Sequence, residues 1–248
     1  MQRTELENYL NSYLDTAGFR DYCPNGLQVE GRSEIRTLVT GVTASLSLLR
    51  SALERGADAV VVHHGYFWRS EDARVIGTRR ERLALLLNND LNLFAFHLPL
   101  DVHPEIGNNV QLARLLELPC DGRFGDQNIG SYGRLDATVT VGELSARIAT
   151  RLERVPLVIG ESSKSIRRIA WCTGAAQSML EGAVQLGVDA FISGEISEPT
   201  VHLAREADVA YIAAGHHATE RYGVRALGEH LAAKFGLTHH FVDIPNPV

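Results

Sequence analysis

The sequence predicts an α/β protein made of two similar α/β domains, each a mixed sheet covered by helices. Three observations predict it. Short apolar runs rich in β-branched residues alternate with amphipathic helical stretches. That rhythm occurs twice, in residues 35–96 and again in residues 169–213. The two rounds also share punctuation: TGVTASLSLLRSALERGADAVVVHHG (Thr40 to Gly65) resembles TGAAQSMLEGAVQLGVDAFISGE (Thr173 to Glu195). Each opens on Thr-Gly, has a serine near the helix start, and closes on Gly-x-Asp-Ala and a strand, which is the mark of an internal repeat.

The elements follow in order. MQRTELENYLNSYL forms an amphipathic helix without the apolar core of a signal peptide. Residues 35–41 form a strand ending in glycine. Residues 45–55 form a helix with Leu46, Leu49 and Leu53 on one face, stopped by Gly56. A strand at 59–62, a helix at 82–88 and a strand at 91–96 complete the first round. The second round has strands at 169–174, 190–193 and 209–213, with helices at 178–186 and 201–206 between them. A helix over 224–235 follows, with His230 on its solvated side, and His239 and His240 open the last strand exposed. Between the rounds, CDGRFGDQNIGSYGRL (residues 120–135) has the glycine and polar content of a linker. It places the domain boundary so that residues 1–122 and 123–248 are the two domains.

Composition narrows the function. The 248 residues are 45% hydrophobic and 22% charged, ordinary for a protein with a sizeable core. A net charge of −6 weighs against a sequence-independent nucleic-acid binder, although a basic patch on one face is compatible with that sum. Cys23, Cys120 and Cys172 are isolated and odd in number, which points to reduced thiols and a cytoplasmic setting. No apolar run approaches the ~20 residues that span a bilayer. No GxGxxG follows a strand, and neither GxxxxGK[ST] nor GxSxG occurs.

What stands out is where the histidines fall. VVVHHGYFW (residues 60–68) puts His63 and His64 at the end of a buried strand, just before Gly65. The next strand ends in FAFHLPLD, with His97 and Asp101 four apart; the corresponding strand of the second round leads to GHHATE, with His216, His217 and Glu220. Four-residue spacing on a helix or tight turn puts two side chains on one side. The carboxyl ends of strands are where open α/β sheets bind ligands. These seven residues therefore converge on a crevice between the halves. Alternation along a strand points His63 and His64 to opposite sides, so each suits one ion of a pair rather than a shared ion. Imidazole with carboxylate suits zinc, iron or manganese better than calcium. Set against this, a single strand-end histidine is more often a surface or hydrogen-bonded residue than a ligand. It is the repetition of the pattern that argues for metal. Cys172 reads as core, and Phe67 and Trp68 as cover for the sheet edge.

NGLQVEG (25–31), TGVTAS (40–45), DAVVVHHGYFW (58–68), HLPLDVHPEIGNN (97–109), GHHATER (215–221) and the terminal FVDIPNP resemble the NGG-interacting-factor-three family, also called the GTP cyclohydrolase type 2 family. The compact length resembles its short bacterial YbgI-like branch. The resemblance covers essentially the whole chain. It implies two similar α/β domains, a toroidal homohexamer, and a dinuclear metal centre between the domains with His63, His64, Asp101, His216 and Glu220 as ligands. It implies two divalent transition-metal ions, of which zinc, iron and manganese are the candidates. Such a site allows a metal-dependent hydrolase, GTP cyclohydrolase-like, in which a metal-bridging hydroxide attacks a nucleotide or another cyclic amide. His97 and Glu195 are candidates for proton transfer or for holding the ligands. Two other readings stay open: a di-iron redox enzyme, and a non-catalytic metal-stapled ring that binds protein or nucleic acid.

Overall fold

The doubled strand–helix rhythm becomes two separate mixed sheets in the computed structural model, which describes residues 1–248. The chain divides into one unit of Met1–Gly107 with Gly223–Pro245 and another of Asn108–Tyr222 with Asn246–Val248. The first unit runs α1 (Arg3–Tyr13), β1 (Gly26–Val29), β2 (Thr37–Thr43), α2 (Leu46–Glu54), β3 (Ala59–His64), α3 (Gly77–Asn88), β4 (Asn92–Ala95) and α4 (Leu98–Val102). The second runs α5 (Asn108–Leu116), β5 (Gly122–Phe124), β6 (Gly130–Thr140), α6 (Val141–Leu152), β7 (Leu157–Ile159), β8 (Ser165–Cys172), α7 (Leu180–Gln185), β9 (Ala190–Ser193), α8 (Glu198–Glu206) and β10 (Ala210–Ala213). Helix α9 (His216–Phe235) starts in the second unit, and its remainder, with β11 (Thr238–Phe241), belongs to the first.

The sheet orders are β1-β4-β3-β2-β11 and β5-β6-β8-β9-β10-β7. Strands β2, β3 and β4 are mutually parallel, as are β8, β9 and β10. An antiparallel strand closes one side of each trio, β1 beside β4 and β7 beside β10. The repeat is thus a parallel β-α-β-α-β body. Its strands read as unbroken apolar runs because both faces are covered. Val60 and Val62 pack among Leu48, Leu49, Leu83 and Leu86, while Val61 and Phe94 face Leu6, Leu10, Leu227 and Leu231. In the second unit Phe191 and Tyr211 pack with Leu180 and Ala183, and Ile192 and Ile212 with Leu144 and Ile148.

The Gly-x-Asp-Ala signature shared by the rounds has a specific job. Asp58 Oδ2 accepts the backbone N–H groups of Arg36 (2.8 Å) and Thr37 (2.9 Å), at the start of β2. Asp189 Oδ2 accepts those of Arg167 and Arg168, both at 2.8 Å, in β8. Each aspartate thereby ties the amino end of its strand to the preceding parallel strand, where two donors would otherwise lie outside the ladder.

The elements differ from the sequence reading at several points. Residues 120–135 do not form a linker: they supply β5 and the start of β6, which pairs antiparallel with β8. The outer edge of an apolar strand needs a ladder partner, and this glycine-rich stretch provides one. His230 is not simply solvated, since its ring stacks on Tyr13 at 4.5 Å and a ring nitrogen meets Tyr9 Oη at 2.5 Å. His239 is half-buried and bonds Thr40 Oγ1 at 2.8 Å. No helix is long and apolar enough to cross a membrane.

Replacing Asp189 by alanine leaves two backbone donors of β8 without their carboxylate. A loss of about 1.5–3 kcal/mol in unfolding free energy is expected, read from urea denaturation. An unchanged midpoint would show that Asp189 does not hold the strand.

Candidate metal centre

The candidate ligands and the two residues proposed beside them lie at or just beyond the carboxyl ends of parallel strands. His63 and His64 are the last two residues of β3, and His97 follows β4 and precedes α4. Glu195 follows β9, and His216 opens α9 just after β10. In an open α/β sheet the loops that leave the carboxyl ends of the strands open a crevice there, where side chains from successive strands meet.

In the first unit His63 is fully buried. Its Nδ1 lies 2.9 Å from the carbonyl oxygen of Phe96, which can only accept, so Nδ1 carries the proton. Nε2 faces Asp101 Oδ1 at 3.4 Å. Two ligands each about 2.1 Å from a tetrahedral ion stand about 3.4 Å apart. The His64 ring lies 4.5 Å from that of His63, and its Nδ1 is 3.2 Å from Thr43 Oγ1. The expectation that alternation sends these two rings to opposite sides is therefore corrected. The pleat ends at His64, and both rings fold over the strand end. Gly65 follows where the chain runs too close to its neighbours for a side chain, since a Cβ there would fall 2.5 Å from Cβ of Ala95.

His97 and Asp101 are joined by a backbone bond, Asp101 N–H to His97 O at 3.1 Å, in the first turn of α4. Their side chains take different partners: Asp101 meets His63, and His97 Nδ1 meets Asp21 Oδ1 at 2.7 Å. A nitrogen from each of His63, His64 and His97 lies within 4.8 Å of the others.

In the second unit the predicted pair does form. His216 Nε2 is 3.1 Å from Glu220 Oε2, one turn along α9, and Nδ1 is 2.6 Å from Glu195 Oε1. Burial by itself lowers the His216 pKa, but the hydrogen bonds and charges of Glu220 and Glu195 outweigh it and raise the value to about 9. Gly174, in the second Thr-Gly pair, sits at φ +69°, and a side chain there would run into the Glu220 carboxylate. Its N–H donates to Thr219 Oγ1 at 3.1 Å, and that hydroxyl donates to His216 O at 2.9 Å, so the end of β8 is bonded to the first turn of α9. Glu195 is placed by Tyr211, whose hydroxyl donates to its carbonyl at 2.5 Å. The backbone N–H of His217 donates to Val248 O at 2.9 Å.

The donor set fits a transition metal of the imidazole–carboxylate class. Each imidazole has Nδ1 beside a protein oxygen, and Nε2 of His63 and of His216 faces a carboxylate oxygen. Asp21, Asn25 and Thr43 are the partners that sequence reasoning missed. Thr43 and Asn25 lie within quoted motifs, whereas Asp21 carries no local signal.

A two-unit α/β protein with imidazole and carboxylate donors at the ends of its parallel strands is the class that fold and site define. The chain belongs to the Duf34/NIF3 (NGG1p interacting factor 3) family, whose model it matches over residues 1–247. It is similar to a Pseudomonas aeruginosa protein named GTP cyclohydrolase 1 type 2 homolog, with 52% identity over 238 residues, 95% of this chain and 94% of that one. A protein of the same name from Escherichia coli strain K12 is 51% identical over 100% of both chains. The solved structure of protein ybgI, described as of unknown function, covers 100% of both chains with a TM-score of 0.96 and 50% identity.

The raised His216 pKa makes a pH prediction for metal-free protein. A folded-state value of about 9 above the unfolded value near 6.5 stabilises fully below pH ~6.5 and is lost as pH rises toward 9. Melting temperature over pH 6–9.5 is expected to fall more steeply for the wild type than for His216→Gln. Parallel curves would contradict the His216–carboxylate pairing.

Proposed function

We propose that this protein is a metal-dependent hydrolase with a dinuclear centre whose ligands are His63, His64, Asp101, His216 and Glu220. The observation that supports it best is that His63, His64 and His216 each have Nδ1 beside a protein oxygen, while Nε2 of His63 and of His216 faces a carboxylate of the proposed ligand set. That is how metal-binding histidines are fixed in tautomer and orientation. Two divalent ions, with zinc, iron and manganese as candidates, would supply a water of lowered pKa and polarise an electrophilic carbon or phosphorus. The chain's own groups have distinct parts. Asp101 and Glu220 offset the repulsion between two cations. Glu195 accepts the Nδ1 proton of His216 and keeps its ring in place. His97, beside the His63–His64 pair, is placed to serve the same centre.

The substrate class we propose is a nucleotide or another cyclic amide, because the 51–52% identical relatives carry the name GTP cyclohydrolase 1 type 2 homolog. The three free thiols suit a reducing, cytoplasmic setting. The family resemblance further suggests a toroidal homohexamer.

Protein purified without chelator is expected to hold close to two transition-metal ions per chain by elemental analysis. Glu220→Gln should lose at least one ion and the turnover of any nucleotide or cyclic amide that the wild type hydrolyses, while its far-UV circular dichroism stays wild-type. Full activity with an empty site would overturn the reading, as would no metal uptake after reconstitution. Light scattering should give six times the 27.2 kDa chain mass; a single-chain mass across micromolar concentrations would contradict the ring.

A further inference from the structure

We propose that Asp21 is a positioning residue that makes His97 a further imidazole ligand beside His63 and His64, in place of a proton carrier. The inference rests on the metal-centre reading above and adds two residues to it.

His97 repeats the pattern of the other imidazoles. Its Nδ1 is held by an oxygen, Asp21 Oδ1, at 2.7 Å, as His216 Nδ1 is held by Glu195 at 2.6 Å. The remaining nitrogen, Nε2, is the one left for the His63–His64 pair, and the three residues offer ligand atoms within 4.8 Å of one another. The ring centroid lies 5.1 Å from that of His63 and 5.8 Å from that of His64. Trp68 meets the ring edge-on at 5.0 Å and limits its rotation.

Asp21 is built to stay put. It is 7% exposed. Oδ1 accepts from the Tyr22 N–H (2.6 Å) and His97 Nδ1 (2.7 Å); Oδ2 accepts from Asn25 Nδ2 (2.8 Å) and the Leu98 N–H (3.0 Å). Asn25 Oδ1 also accepts the His97 N–H at 2.7 Å. Asp21 and Asn25 thus grip both the backbone and the ring of His97 at the β4–α4 junction. With each Asp21 oxygen taking two donors, an amide cannot replace the carboxylate without aiming an NH₂ group at donors. With the NH₂ toward His97, that ring must accept at Nδ1, which moves its proton to Nε2 and removes the lone pair; turned the other way, the NH₂ faces the Asn25 amide and the Leu98 N–H and loosens the grip on the β4–α4 junction.

The test uses full-length protein labelled with ¹⁵N only at histidine, with His97 assigned through His97→Gln. Solid-state ¹⁵N spectra are recorded before and after zinc addition, and zinc affinity is measured by chelator competition. In the wild type, His97 should be Nδ1-protonated without metal, and zinc should shift its Nε2 together with those of His63 and His64. In Asp21→Asn the His97 proton should move to Nε2 and zinc affinity should fall about 10–100-fold, while His63 and His64 keep their tautomers. Zinc shifting His63 and His64 but leaving His97 Nε2 unmoved would overturn the inference and leave the metal centre standing. No shift at any imidazole would overturn both. The wild-type spectra decide the matter even if Asp21→Asn fails to fold.

Discussion

The site depends on one repeated interaction: an imidazole Nδ1 held by a fixed oxygen of the protein. His63 has the carbonyl of Phe96, His64 the hydroxyl of Thr43, His97 the carboxylate of Asp21, and His216 that of Glu195. A neutral imidazole with one nitrogen so occupied has its lone pair on the other and its ring plane set. A ring set in this way needs little further ordering to bind a cation, although His216, with its pKa raised to about 9 by Glu220 and Glu195, must first give up a proton.

The scaffold supplies this through the parallel β-α-β-α-β body. Asp58 and Asp189 fix the amino ends of β2 and β8 in the same way, and the strands deliver the donors at their opposite ends. Beyond the strands the halves diverge. His97 and His216 follow equivalent strands, β4 and β10, yet their carboxylates come from different places: Asp21 from the loop before β1, Glu195 from the turn after β9. Duplication accounts for the frame, and local substitution for the chemistry.

How much of this was legible in the sequence follows from the range of each interaction. The parallel strands were legible because burial on both faces writes continuous apolar runs. The His216–Glu220 contact was legible because it is one helical turn long. The Asp21–His97 pair spans 76 residues and leaves no periodic trace. The His63–Asp101 contact also joins separate elements, so spacing paired Asp101 with His97 instead. His230 and His239 read as solvated because their partners, Tyr9, Tyr13 and Thr40, lie far away in the chain. The stretch 120–135 read as a linker because glycine signals turns more strongly than it signals an edge strand.

The central claim is that these imidazole nitrogens and carboxylates, and no thiolate, bind a pair of metal ions. X-ray absorption at the zinc edge of zinc-loaded protein tests it most directly. The account predicts a nitrogen and oxygen shell at about 2.0–2.1 Å, outer-shell imidazole scattering, and a metal–metal distance of about 3.5–4 Å. A sulfur shell at about 2.3 Å, or a shell without imidazole scattering, would contradict it.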